Sequence, residues 1–336
     1  NLMANVIIGV HGLGNKPSRH LLEYWWKLAM NEGLKKQEFN VRLPEFKLVY
    51  WSDLIYNKNQ DPEDNDPESP YFIDEKYEKA PANFIVSDYS TRKKVIDFLG
   101  RQMNRIFLND DLTLNYSFIS DTIINRYFSD LEVYYSGNIT GKDNETHKAK
   151  NLIRERLYSR LKKYENYDIM LISHSMGTII AYDVLSFLAP EIRINTFITI
   201  GSPLGLPVVI SKIADEYKQR GIIPDRIKTP PGIVKNWYNF SDILDKVAFN
   251  YRLSDYYSEN DYGVKPIDIL VVNNYESDGI RNPHKSFGYL RTPEFSKILY
   301  DFILAEKLSF KQKVSRQIIK VTDNIKSFAS PGSRKE

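Results

Sequence analysis

The stretch Tyr167-Asp-Ile-Met-Leu-Ile-Ser-His-Ser-Met-Gly-Thr-Ile-Ile-Ala181 is the most informative in the chain. Ile169 to Ile172 is an unbroken apolar run, which suits a strand buried on both faces. Helical apolar spacing begins at Thr178 and extends to Leu188. Between them sits Ser175, with small residues two positions before and after it, Ser173 and Gly177. A strand, a sharp turn and a helix in immediate succession thrust the turn residue outward and crowd its flanks, so the flanks must be small. The helix N-terminus brings partial positive charge beside Ser175. It also leaves the Met176 N–H free to face a developing oxyanion.

Working outward, further apolar runs occupy Val6–Val10, Lys47–Trp51, Thr196–Ile200 and Asp268–Asn273, with a more mixed one at Val234–Phe240. Helical patterns separate them. Ser18 caps a helix with Leu21, Leu22, Trp25, Leu28 and Ala29 on one face. Leu152, Ile153, Leu157 and Leu161 mark a second helix. Val208–Arg220 follows Pro207 and stops at Gly221. Thr292-Pro293 starts a last helix carrying Phe295, Ile298, Leu299, Phe302 and Ile303. Alternating strands and helices predict an α/β protein with a doubly wound, mostly parallel sheet. Residues 1–54 and 151–309 form the expected core. Residues 55–150 are too long for a simple crossover. They are expected to form a helical cap or lid, with an amphipathic helix over Ser90–Leu108. Residues 310–336 make a basic tail.

Composition excludes several classes. The 46 basic and 43 acidic side chains nearly cancel, so nucleic acid is not an expected partner. With no cysteine, disulfides, thiolate metal sites and a cysteine nucleophile are excluded. No apolar run reaches transmembrane length. Asn1–Val10 has no basic region or cleavage site, so a retained signal peptide is not expected, and a cytoplasmic location is. The basic tail is a candidate for weak contact with a membrane surface.

Ser173-His174-Ser175-Met176-Gly177 looks like the nucleophile elbow of lipases and esterases of the α/β-hydrolase superfamily, with Ser173 where that pattern usually has glycine. Val6–Gly14 runs from a strand into His11-Gly12-Leu13-Gly14 and is similar to the superfamily's oxyanion loop. The resemblance makes the Leu13 N–H a second oxyanion donor beside that of Met176. It also implies the chain order serine, acid, histidine. His284 is the one histidine after Ser175, which makes it the general base. The acid falls within Trp237–Ala248. Asp245 is favoured because Asp245–Ala248 resembles the family's acid loop, and Asp242 is the alternate. His11, Gly12, Trp51 and Ser202 are expected to face the substrate, Asp53 to shape the pocket with Trp51, and His174 to point away from Ser175. The resemblance implies a cofactor-free, metal-free serine hydrolase acting on a small-molecule carboxylic ester, including lipid-like acyl esters. Thioester, amide or acyl-transfer chemistry on the same fold is the alternative, and a non-catalytic binding module is the other.

Overall fold

The computed structural model describes residues 4–73, 76–84, 86, 90, 92–94, 97, 131–140, 145–222 and 226–305. The helix expected over Ser90–Leu108 (a few positions aside) and the tail 310–336 lie outside the described residues.

Six strands form the central sheet: β1 (Asn5–Val10), β2 (Glu45–Val49), β3 (Asp168–His174), β4 (Ile194–Ile200), β5 (Ile233–Asp242) and β6 (Pro266–Val271). Their spatial order is β6-β5-β4-β3-β1-β2, and every pairing within it is parallel. All six strands overlap the apolar runs of the sequence. The helices are α1 (Arg19–Lys36), α2 (Ala149–Lys163), α3 (Met176–Asp183), α4 (Pro207–Gln219), the short α5 (Ser286–Tyr289) and α6 (293–305).

Alternate side chains of the strands divide between two layers. Val6, Ile8 and Val10 pack with Ile153, Leu157, Ile179 and Ile213, so α2, α3 and α4 cover one face. Ile7 packs with Leu22, Trp26, Phe295 and Leu299, so α1 and α6 cover the other. Both faces are therefore dry, which is why the strands are apolar runs without alternation. Helices on both faces of a parallel sheet make the architecture doubly wound.

Local signals explain most boundaries. The Ser18 hydroxyl accepts from the Leu21 N–H at 3.3 Å and caps α1. Pro207 opens α4, where its missing N–H costs nothing. Two differences from the sequence pattern stand out. In α1 the buried indole is Trp26, while Trp25 is half-buried, so the core-facing stripe lies one position on from the expected one. The helix after Ser175 is regular only to Asp183 and continues as a π-turn over Val184–Leu188.

The expected cap region is not uniform. Leu131 and Tyr134, in a helical turn over 131–136, belong to the main core. The Tyr134 hydroxyl donates to Asp183 and accepts from Arg154, and Arg154 also pairs with Asp183 and Glu216. This buried cluster ties 131–136 to α2, α3 and α4. The end of the long interval thus packs as part of the α/β core.

The strand order reverses direction between β1 and β3. That reversal opens a crevice at the carboxyl ends of the strands, where ligands of such sheets bind. The turns after β1 and β3 meet there.

Candidate active site

Ser175 lies between β3 and α3 with φ of 54° and ψ of −126°, a left-sided conformation that non-glycine residues seldom adopt. The bend is held from below by the Ser175 N–H, which donates to Ile200 O at 3.1 Å. Crowding around the bend is measurable. A Cβ on Gly177 would stand 2.6 Å from Val10 O and 2.7 Å from His11 O, so only glycine lets α3 start against the end of β1. Ser173 is fully buried, and its hydroxyl donates to Ile198 O at 3.2 Å.

The His284 loop, which follows β6 in the chain, reaches this bend. His284 Nε2 is 3.0 Å from Ser175 Oγ. Its Nδ1 lies 2.9 and 3.0 Å from the two carboxylate oxygens of Asp245. A carboxylate only accepts, so Nδ1 carries the proton and Nε2 accepts from the Ser175 hydroxyl. An imidazole poised to take a hydroxyl proton, backed by a carboxylate, is the arrangement that activates a nucleophile.

Asp245 is fully buried and saturated with donors. The Val247 N–H donates to Oδ1 at 2.9 Å, and the Tyr289 hydroxyl donates to Oδ2 at 2.7 Å. Asp242 has other partners. Its carboxylate accepts from the N–H groups of Leu244 and Asn273 and pairs with Arg281 at 2.8 Å. Burial, the largest influence on it, raises its pKa against these favourable bonds. The geometry therefore puts Asp245 on the imidazole and Asp242 under the loop that carries it.

Gly201 directly follows β4 with φ of +55°. A Cβ there would stand 2.9 Å from Asp245 Oδ2 and 3.0 Å from His284 Nδ1. The missing side chain leaves the space in which the acid–histidine pair forms.

The loop is fixed on several sides. The His284 N–H donates to Asn282 Oδ1 at 2.9 Å. Asn273 Nδ2 donates to the carbonyls of Pro283 and Lys285 at 2.9 and 2.8 Å. His174 Nε2 donates to the His284 carbonyl at 2.7 Å. Burial and the neighbouring His284 hold the His174 imidazole well below its ordinary pKa, so it stays neutral. Its ring is directed to the loop backbone, which agrees with the expectation that it points away from the Ser175 hydroxyl.

On the β1 side, His11 Nδ1 donates to Gly12 O at 2.7 Å, and its Nε2 accepts from the Trp51 N–H at 3.1 Å. The Trp51 indole stacks on the imidazole at 4.8 Å and donates to His11 O at 3.0 Å. Gly12 lies against the Cβ of Ser175. Leu13 lines the crevice, and its carbonyl accepts from the Lys16 ammonium. Met176 heads α3, whose first N–H groups have no acceptor within the helix.

A cavity of about 490 Å³ lies over this group. His11, Gly12, Leu13, Ser175 and His284 line it, with Trp25 and Phe287 along one wall. Two expected substrate-facing residues lie elsewhere. Trp51 is 1% exposed and holds His11 in place. Ser202 is 2% exposed, and its hydroxyl bonds Thr178 Oγ1 and accepts from the Leu204 N–H. Asp53 stands outside the cavity, paired with Arg156. Each lies just beyond the end of a strand, but its side chain is turned into the packing or away from the crevice. Sequence inspection assigned no role to Tyr289, Asn273 or the conformation of Gly201. For Asn273 the available signal was a polar residue ending an apolar run.

Burial and the nearby Lys16 ammonium push the His11 imidazole from its ordinary 6.5 down to about 3. The unfolded chain takes up this proton below 6.5 while the folded one does not. The stability is thus present above 6.5 and is lost as pH falls toward 3. His11 alone is expected to remove about 2 kcal/mol of unfolding free energy between pH 7 and about pH 5. Urea unfolding at both pH values, compared between wild type and His11→Asn, measures it; equal losses in the two proteins would refute the buried neutral ring.

No family model matches the chain, and no curated protein matches its sequence.

Proposed function

We propose that the protein is a serine hydrolase of the α/β-hydrolase type that cleaves carboxylic esters through an acyl-serine intermediate. One observation carries the proposal: Ser175 Oγ, on a strained turn at the switch point of the sheet, lies 3.0 Å from His284 Nε2, with Asp245 on the opposite nitrogen.

Ser175 Oγ attacks the ester carbonyl carbon while its proton passes to His284 Nε2. The N–H groups of Leu13 and Met176 receive the negative charge on the carbonyl oxygen. The intermediate collapses, the C–O bond to the alkoxide breaks, and His284 returns the proton to the departing alcohol. Water then gives a proton to the same nitrogen as it attacks the acyl-serine, and the carboxylic acid leaves with Ser175 restored. Asp245 keeps the proton on Nδ1 and stabilises the imidazolium at each stage. The aromatic wall of Trp25 and Phe287 supports an apolar acyl group as the bound portion.

The test is covalent labelling with a fluorophosphonate probe, followed by turnover of a panel of p-nitrophenyl esters, thioesters and peptides. Labelling at Ser175 with preferred turnover of esters is the expected result. Absence of labelling in folded protein would sink the proposal, and faster thioester or amide turnover would replace the substrate class.

Gly201→Ala offers a check on the acid–histidine pair. The added methyl lies within contact distance of both partners, and its backbone conformation resists a side chain. A displacement of this size is expected to lower kcat on the order of 100-fold, with KM little changed. Unchanged kcat would mean that the pair tolerates the displacement.

A further inference from the structure

A second cavity, of about 540 Å³, lies on the other side of the Tyr50 strand end from the crevice. Its walls come from three elements. Arg19 and His20 project from the start of α1, Arg156 and Arg160 from one face of α2, and Leu48 and Val49 of β2 form an apolar floor. Arg156 and Arg160 are four residues apart and therefore adjacent on the helix surface.

The charge of this cavity is unbalanced. Among the described residues, Asp53 is the one carboxylate lining it, and it is paired with Arg156. Arg156 is fixed further by donating to Tyr50 O at 2.8 Å. Arg19 and Arg160 make no ion pair or hydrogen bond among the described residues. Three guanidinium groups stand against Asp53 and against Glu23, whose carboxylate accepts from the Leu48 N–H at 3.1 Å beside the floor, so the concavity keeps a net positive charge. A concave wall of one sign focuses the field and raises the local concentration of counter-ions. Guanidinium groups present paired donors that match the oxygens of a phosphate.

We propose that this cavity binds a phosphate-bearing ligand, either a soluble phosphorylated small molecule or the phosphorylated headgroup of a lipid. Arg19 and Arg160 supply the free donors, and Arg156, anchored by Asp53 and the Tyr50 carbonyl, supplies a fixed third cation. The site is separate from the Ser175 crevice. Tyr50 joins the two, because its ring lies 5.2 Å from the His11 ring and its hydroxyl donates to Pro17 O at 3.0 Å.

The experiment uses the full chain, with inorganic pyrophosphate as the soluble probe and phosphatidylcholine vesicles with or without phosphatidylinositol bisphosphate as the lipid probe. Calorimetry reads the first and co-sedimentation the second. Binding to at least one probe is expected, weakened about tenfold or more in Arg19→Glu/Arg160→Glu. Pyrophosphate binding identifies a soluble ligand; binding confined to phosphoinositide vesicles identifies a headgroup. Failure to bind either probe, or binding unaffected by the charge reversals, overturns the proposal. Arg160→Gln alone, at a half-exposed position, gives a partial loss and guards against a folding defect in the double variant. The double variant keeps Ser175 labelling, so the outcome is independent of the hydrolase proposal.

Discussion

Replacing Ser175 with alanine is expected to lower kcat for ester hydrolysis by about a million-fold and to abolish fluorophosphonate labelling. The loss is large because no neighbouring group can take over. His174, next to Ser175 in the chain, has Nε2 committed to the His284 carbonyl and is held neutral by burial. His284→Ala should lose nearly as much, since without the imidazole the hydroxyl keeps its proton. The double variant should be scarcely worse than either single one, because the two groups act as a unit. Stopped-flow and steady-state kinetics on a p-nitrophenyl ester measure the series, and thermal unfolding shows that Ser175→Ala is folded. Additive losses, or an active Ser175→Ala protein, would mean that the 3.0 Å contact is incidental to the chemistry.

The two aspartates separate by kind of damage. Asp245→Asn should reduce kcat by about 10⁴, because an amide in that position favours the wrong tautomer of His284. KM and the fold should change little, since the Val247 N–H still meets a side-chain oxygen in the same place. Asp242→Asn should act on stability instead. It removes the charge facing Arg281 and weakens the bond from the Asn273 N–H. A cost of about 1–3 kcal/mol follows from leaving such buried groups poorly paired. Some loss of kcat should accompany it, since Asn273 also secures the carbonyls on either side of His284. A urea titration and a kinetic assay on each variant separate the effects. The reverse pattern, with Asp242→Asn losing kcat and Asp245→Asn losing stability, would reassign the acid.

The difference between these aspartates shows where sequence inspection stops. Asp242 is the last residue of β5 and Asp245 lies three positions on, past the turn, so both are acids at the same strand end. What separates them is the path of a loop arriving from beyond β6, and no local pattern records that path. Tyr289 shows the same limit. Its hydroxyl accepts from the Asp242 N–H and donates to Asp245, joining both acids through a residue from the short helix after His284. Trp51 and Ser202 show the converse. Their positions at strand ends were legible, but side-chain direction there depends on which partner is nearer. For Trp51 that partner is His11, and for Ser202 it is Thr178.

Local patterning in the sequence accounts for the α/β layering, the six strands and the sharp serine turn. Each of these depends on apolar runs, helical spacing and small residues among near neighbours in the chain. It also singled out Ser175 and His284, through a motif and its order. Folding alone brings those two groups into contact, puts Asp245 rather than Asp242 behind the imidazole, and leaves a gap at Gly201 for the pair. Those outcomes depend on contacts between segments 39 and 109 residues apart, whose geometry is set by packing across the whole sheet.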